Sequence, residues 1–342
     1  MAWRAAMLTP VSPPPPEWAP QSALWVGWPR LFEEWGAAFE PARAEIAAFA
    51  CALAGRTRLR VAAGDETAIA AARKSLEGGA QIRAVPSGDI WLRDTGPVFS
   101  YALGGALLAH CFRFNGWGGR FDMPGDAETA AAIAEAESAR PVPHAAILEG
   151  GAVEHDGAGT VITTRECLLN PNRNPGWCES DAERLLEAVF AARRVIWLDR
   201  GLLNDHTDGH VDNLARFCGP GRVVCQRASG ADDPNDDRLA EIEARLRTSG
   251  LDVLTVPSPG FVPDAAGRAL PASHLNFVSS NGLLAIPDYK ARPGEGLEKA
   301  FAAAFPGMTL KRLSSRAILS GGGSFHCMTC HVPMPAQGVE TR

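Results

Sequence analysis

Ser180-Asp181-Ala182-Glu183-Arg184-Leu185-Leu186-Glu187-Ala188-Val189-Phe190, followed closely by Val195-Ile196-Trp197-Leu198, reads as one helix and one strand. Ser180-x-x-Glu183 has the form of a capping box, in which a hydroxyl and a carboxylate satisfy free backbone N–H groups at a helix start. Leu185, Leu186, Val189 and Phe190 then recur at helical spacing, and the apolar run after them has the length of a strand. The same order returns twice. Leu239, Ile242 and Leu246 precede a strand over 251–256, and Leu297, Phe301 and Phe305 precede one over 310–319.

Working back toward the start, Ala23-Leu24-Trp25-Val26-Gly27-Trp28 reads as a buried strand. Pro41 opens a helix with Ala42, Ile46, Phe49 and Leu53 on one face, and Gly55 ends it. A strand over 58–63 follows, Asp65 caps a second helix reaching Leu76, and 98–111 forms a hairpin turning at Gly104-Gly105. Further short strands are expected near 160–164, 222–226 and 283–287. Helices thus recur roughly every 50 to 60 residues, each accompanied by several strands, the mark of a repeated unit. This favours a β-rich unit carrying a single helix over simple β–α alternation. No linker divides the chain.

Of the 342 residues 46% are hydrophobic, and the formal net charge is −6 with no basic block. A chain of this size buries roughly three quarters of its unfolded surface and needs no disulfide or metal staple. Nucleic acid and anionic membrane are therefore poor partners, and a small cation is a reasonable one. No run approaches the roughly 18 apolar residues of a membrane span. Residues 1–20 are Pro-rich and lack the apolar core of an export signal, so a cytoplasmic location is expected. The eight cysteines are scattered without a framework spacing and are expected to be reduced. No Gly-x-Gly-x-x-Gly or P-loop string follows a strand, so a nucleotide fold has no direct support.

Five strings are too polar to be ordinary connections: Trp91-Leu92-Arg93-Asp94-Thr95-Gly96-Pro97, Leu148-Glu149-Gly150-Gly151, 166–174, Asp205-His206-Thr207-Asp208-Gly209-His210-Val211-Asp212-Asn213, and 321–331. The last contains Cys327-Met328-Thr329-Cys330-His331, a spacing open to haem attachment, a redox dithiol, half a metal site, or one reactive cysteine. Haem attachment normally goes with export. Zinc through His206 and His210 would pair ligands far apart in sequence and in the reverse order of a finger. A reactive Cys327 fits the other strings better. Asp94, Glu149, Asp208 and Asp212 are carboxylates, and His210 moves protons. His210 and Asp212, two apart, share a face if extended. Such a set suits a guanidinium, whose N–H groups pair with carboxylates while a thiolate attacks its carbon. Trp91 and Trp117 either stack on the cation or pack in the core. Asp208 reaches toward the far end of the ligand. Neighbouring carboxylates oppose thiolate formation at Cys327, and a bound cation and protonated His210 favour it.

These strings resemble those of the agmatine deiminases and bacterial peptidylarginine deiminases of the guanidino-group-modifying superfamily, from Pro16-Glu17-Trp18-Ala19-Pro20 to Pro333. The resemblance implies an α/β fold, a five-bladed pseudosymmetric propeller of ββαβ units around a central active site. Residues 1–342 form one catalytic domain, with a Pro-rich lead-in over 1–16 and a tail over 336–342. It implies that Asp94 and Asp212 bind the guanidinium, that His210 is the acid/base and Cys327 the nucleophile, and that Glu149 orients His210 or binds a guanidinium nitrogen. It implies no metal or organic cofactor, a small cationic guanidino substrate, and a homodimer. The activity implied is hydrolysis of agmatine to N-carbamoylputrescine in polyamine biosynthesis. Deimination of peptidylarginine or another guanidino compound, amidino transfer on the same fold, and non-catalytic binding are the alternatives.

The chain departs from the family text at Gly116, Ser324, His274, Cys330 and His331. Positions 274, 330 and 331 are expected near the pocket rim. The spacing of Cys327 and Cys330 raises the further idea of a disulfide that silences the nucleophile.

Overall fold

The first apolar run forms strand β1 (Gln21–Gly27) in a computed structural model that describes residues 12–289 and 296–335. The tail over 336–342 and residues 1–11 of the lead-in lie outside the described residues. Helix α1 (Phe39–Leu53), strand β2 (Leu59–Ala63), helix α2 (Glu66–Leu76) and strand β3 (Gln81–Ala84) follow, with β1, β2 and β3 parallel. All of β2 is buried, which is why its sequence lacks the alternation of a strand with one wet face. In α1 the expected face of Ala42, Ile46, Phe49 and Leu53 is buried. The helix starts at Phe39, ahead of Pro41, whose missing N–H is harmless in a first turn. Asp65 caps α2 by accepting the Ala68 N–H at 2.8 Å.

One pattern then repeats. Strands β4 (Val98–Tyr101) and β5 (Leu107–Arg113) are antiparallel, and after helix α3 (Thr129–Ala136) strand β6 (Arg140–Ile147) lies parallel to β5. The next unit is β7 (Glu154–His155), β8 (Thr160–Thr164), α4 (Glu179–Phe190) and β9 (Arg194–Leu198). It is followed by β10 (Ala215–Gly219), β11 (Arg222–Arg227), α5 (Asp236–Thr248) and β12 (Asp252–Pro257). The last complete repeat is β13 (Val278–Ser280), β14 (Leu283–Asp288), α6 (Leu297–Ala304) and β15 (Thr309–Ser314). Strand β16 (Thr329–Pro333) returns to pair antiparallel with β1, setting Cys330 opposite Trp25. The first sheet, ordered β16-β1-β2-β3, thus takes its antiparallel strand from the far end of the described chain.

Apolar clusters join each sheet to the next. Helix α3 packs Ile133 and Ala134 with Trp25 of β1 and Val332 of β16. Helix α4 packs Leu186 and Val189 with Val161, against Val98 of β4 and Phe112 of β5. Helix α5 packs Leu239 and Leu246 between Phe217 of β10 and Ile162 of β8. Helix α6 packs Phe301 between Leu284 of β14 and Val256 of β12. Helix α1 packs Phe49 between Val26 of β1 and Ala285 of β14. Each main helix therefore stabilises two sheets by burying one apolar face, the dominant favourable term in folding.

Two local expectations shift. Helix α4 begins at Glu179, because the Asp181 carboxylate accepts the Cys178 N–H at 2.9 Å and closes the cap two residues ahead of the predicted box. The strand expected over 310–319 stops at Ser314, and Arg316–Ser320 turns into a helix. Glu45 of α1 causes this. Its carboxylate accepts the N–H groups of Arg316, Ala317 and Ile318, each at 3.0 Å, satisfying the free donors of that helix start. The short helix leads directly into the glycine run before Cys327. Replacing Glu45→Ala is expected to cost about 1–3 kcal/mol, the scale of hydrogen bonds to a charged group. A fall in the denaturation midpoint together with reduced thiol-dependent activity is the expected result.

Candidate active site

Four of the five polar strings lie just ahead of the first antiparallel strand of a sheet, and the fifth, 166–174, follows β8 and leads to α4. Asp94 precedes β4 in the helical turn Leu92–Thr95, Gly151 precedes β7 in the turn Gly150–Ala152, and Asp212 precedes β10 in the turn Val211–Asn213. Asn276 precedes β13 and Cys327 precedes β16. Gly151 marks the point of convergence. A Cβ there would stand 2.7 Å from His210 Nδ1, 2.9 Å from Asp94 Oδ1 and 3.1 Å from Asp212 Oδ2. Only glycine admits all three groups so closely.

Asp94 accepts the Trp117 indole N–H at 2.9 Å and the Gly151 N–H at 3.1 Å, and its Oδ1 lies 3.6 Å from His210 Nδ1. Burial raises its pKa to about 6 against these two donors. Asp212 Oδ2 lies 2.8 Å from His326 Nδ1 and 3.6 Å from Cys327 Sγ. Burial and the charge of Asp94 push the Asp212 carboxyl well above the usual range. His210 is fully buried and its pKa falls to about 4, chiefly through burial, with Glu149 opposing. Cys327 accepts the Asn276 side-chain N–H at 3.0 Å, and burial, Asp212 and Asp94 push its thiol well upward. The balance left open by the sequence therefore falls toward a neutral thiol and a neutral imidazole before a cation arrives. Among the described residues, neither His210 ring nitrogen nor Asp212 Oδ1 has a hydrogen-bond partner. Buried polar atoms of this kind gain most from a ligand that bonds to them.

Glu149 lies beside His210, in keeping with one of its two expected roles, and both it and Asp208 are held by arginine. Both Glu149 oxygens accept Arg173 Nε at 2.9 Å, and Arg173 also reaches Asp208 Oδ2 at 2.6 Å and the Thr207 carbonyl at 2.8 Å. Asp208 Oδ1 is taken by Arg120 and Oδ2 also by Asn172 at 3.0 Å, so its carboxylate has no free oxygen for the far end of a ligand. Glu149 is likewise engaged, which removes it as a direct guanidinium ligand and leaves it beside His210. Glu149, Cys167 and His210 present ligand atoms within 4.8 Å of one another, close enough to share an ion. Arg173 already supplies positive charge to that carboxylate, so the donor set is poorly suited to a second cation.

A cavity of about 520 Å³ leads in, lined by Trp91, Trp117, His206 and Gly322 among others. Trp91 stacks on Trp35 with centroids 6.0 Å apart, and the turn at Asn115-Gly116 sends Trp117 into the left-handed region at φ 53. A Cβ on Gly116 would fall 1.6 Å from the Phe121 carbonyl oxygen, so the departure from the family at this position is one the backbone requires. Both tryptophans thus wall the cavity and pack in the core at once. His274, Cys330 and His331 do not line it, contrary to expectation. His274 is buried against Tyr289 with Nδ1 3.0 Å from the Pro287 carbonyl, and His331 Nδ1 accepts from Arg93 at 2.6 Å. Cys330 donates to the Pro97 carbonyl at 3.3 Å within the cluster around Trp25, whereas Cys327 belongs to the cluster around Phe49. The two thiols face different cores, so the disulfide idea loses its basis.

Residues that sequence reasoning passed over complete the site. Asn276 Oδ1 accepts the N–H groups of His326 at 2.9 Å and Cys327 at 3.2 Å, holding the Cys327 backbone while its amide touches the sulfur. Its signal was present in Ala272-Ser273-His274-Leu275-Asn276, noted only as a departure. His326 and Glu17 carried no signal beyond adjacency to Cys327 and to a Pro-Glu-Trp string.

A thiol, an imidazole and two carboxylates buried around one glycine define a cysteine-centred pocket for a small cation. Residues 14–333 match the family described as Porphyromonas-type peptidyl-arginine deiminase. The agmatine deiminase of Stutzerimonas stutzeri (strain A1501) is 35% identical over 94% of this chain and 95% of its own. The structure of agmatine deiminase of Enterococcus faecalis, described as catalysing its reaction, matches with a TM-score of 0.88 at 26% identity, over 95% of this chain and 96% of that one. C. jejuni agmatine deiminase in a cysteine-to-serine form with substrate bound also matches at 0.88, with 25% identity over 96% and 98%. The chain belongs to the Porphyromonas-type peptidyl-arginine deiminase family.

Two substitutions probe the geometry. Gly151→Ala is expected to abolish binding of a guanidinium ligand while leaving the circular-dichroism spectrum unchanged. Trp117→Phe removes the indole donor to Asp94, so that carboxyl should titrate above its present value of about 6. The acid limb of ligand binding should then move to higher pH, measurable by calorimetric titration across pH 5–8.

Proposed function

We propose that this protein is a guanidine deiminase hydrolysing agmatine to N-carbamoylputrescine and ammonia, with Cys327 as nucleophile, His210 as acid/base, and Asp94 and Asp212 as the guanidinium ligands. The observation that carries the reading is the convergence of His210, Asp94 and Asp212 on Gly151, with Cys327 Sγ 3.6 Å from the same Asp212 oxygen. Agmatine deiminases are among its relatives, at the similarity given above.

The guanidinium enters between the two carboxylates and favours their ionised forms. Its positive charge also favours the thiolate, and neutral His210 receives the thiol proton. Sulfur attacks the guanidinium carbon. His210 returns the proton to the departing nitrogen, which leaves as ammonia, and a thiouronium adduct remains on Cys327. Water then attacks the same carbon with His210 as base, and the thiolate leaves a ureido product. Glu149 acts on His210 through its charge, Arg173 and Asp208 brace the loop that carries it, and Trp117 orients Asp94.

The mouth supports a dication over a zwitterion. It carries Glu34, Asp89, Asp205 and Asp264 against Arg120 and Arg268, and the two arginines are ion-paired with Asp208 and Asp264. A terminal ammonium is favoured there, and the α-carboxylate of free arginine is disfavoured. We further read the five units as blades of one pseudosymmetric α/β propeller, forming a single catalytic domain. Equivalent placement of Asp94, Gly151, Asp212, Asn276 and Cys327 ahead of successive strands supports that arrangement.

The deciding experiment is ammonia release over agmatine, arginine, a methylated arginine and an arginyl peptide, with no acceptor amine added. Agmatine should lead; equal or greater turnover of another compound overturns the substrate assignment, and a requirement for an acceptor amine indicates amidino transfer. Cys327→Ser should reduce ammonia release below detection with the fold intact. Because Asp94 must shed a proton below pH 6 to meet the cation, KM for agmatine should rise as pH falls through that value.

A further inference from the structure

His326 lies between two carboxylates. Its Nδ1 is 2.8 Å from Asp212 Oδ2 and its Nε2 is 2.7 Å from Glu17 Oε2. A neutral imidazole carries one N–H and can donate to only one of them. The other contact would then bring two lone pairs together at hydrogen-bond distance. Both contacts are favourable only if the chain Asp212–His326–Glu17 holds a second proton. That proton resides either on the ring, as an imidazolium, or on a carboxyl.

Glu17 is the ionised end. Arg216 Nη2 lies 2.6 Å from Glu17 Oε2, and Arg93 is 3.7 Å away. Despite burial, Arg216 and the neighbouring His331 and His326 hold Glu17 well below the usual range. The mobile proton is therefore confined to the link between Asp212 Oδ2 and His326 Nδ1. Burial, Arg216 and Arg93 hold His326 well below its ordinary value, and Asp94 raises Asp212. Glu154, paired with Arg216 at 3.1 Å, faces the same group from β7 and is itself raised to about 7. Before a ligand arrives the proton thus rests on Asp212.

We propose that His326 is a positioning residue that takes the Asp212 proton when the guanidinium binds, ionising the carboxylate without releasing a proton to solvent. The Asp212 Oδ2–H bond breaks and the His326 Nδ1–H bond forms, while Nε2–H remains donated to Glu17. The ring becomes an imidazolium between two carboxylates, and Asp212 becomes an anion facing the cation. The inference deepens the guanidine-binding reading of this site and rests on it.

Two measurements test it. In protein labelled with ¹⁵N-histidine, guanidinium chloride at low millimolar concentration should move the His326 ring from the neutral to the imidazolium pattern, with His326→Gln assigning the resonances. A ring neutral in both states, or cationic in both, overturns the proposal. In the His326→Gln variant the acid limb that Asp94 gives KM for agmatine should steepen by a further factor of about ten per pH unit, because Asp212 must now also release its proton to solvent. A profile that is lower than wild type but parallel to it indicates a structural role only and overturns the proposal. The ring measurement uses guanidinium itself. It therefore decides the relay even if agmatine proves not to be the substrate, and absent turnover of agmatine by wild type counts against the functional reading alone.

Discussion

Two carboxylates, Asp94 and Asp212, share one buried pocket, and among the described residues neither forms an ion pair with an arginine or lysine. Like charges in a poorly screened space oppose each other's ionisation, and burial adds to the penalty. The protein holds the pair with an indole N–H, a backbone N–H and an imidazole. The same conditions keep the Cys327 thiol protonated. A planar cation relieves all of these costs together. The unliganded site therefore holds a neutral Asp212 carboxyl, thiol and imidazole around Asp94, and the further charges are reached only in company with the ligand, which selects for positive charge more strongly than hydrogen bonds alone.

The surrounding carboxylates are treated in the opposite way. Arg173 pairs with both Glu149 and Asp208, and Arg216 pairs with both Glu17 and Glu154. Ion pairs this buried gain little net stability, since desolvation offsets much of the attraction. Their value is geometric. Arg173 fixes the loop carrying His210, and Arg216 anchors the end of the chain of contacts behind Asp212. Removing Arg173 would leave Glu149, and removing Arg216 would leave Glu154, without its arginine partner, so each arginine constrains the position of two acids.

Much of this was legible in the sequence because it depends on local pattern. Leu239, Ile242 and Leu246 declare a helix face by spacing alone, and Asp65 declares a cap. Asp94, His210, Asp212 and Cys327 stand out because polar residues crowd short strings between strands. What escaped depends on pairing across hundreds of residues. Nothing near Asp208 signals that Arg120 and Arg173 will take both its oxygens, and nothing near Glu17 places it against His326. The strand expected to reach residue 319 ended early for the same reason, since Glu45 on a distant helix caps the next turn. Local spacing identifies chemically capable residues, and long-range partners decide which of them remain free.

The pairing of β16 with β1 has a consequence in the order of synthesis. Strand β1 leaves the ribosome early, and its antiparallel partner is made only after the other four sheets of the described chain. Cys327 stands immediately ahead of that late strand. The carboxylates and His210 can be arranged while the chain is still growing, but Cys327 takes its place only when the two distant segments meet. Closing so long a loop is slow compared with forming local contacts. The Cys327 sulfur is thus the last part of the pocket to arrive, and a chain whose synthesis has not reached β16 has the pocket without its thiol.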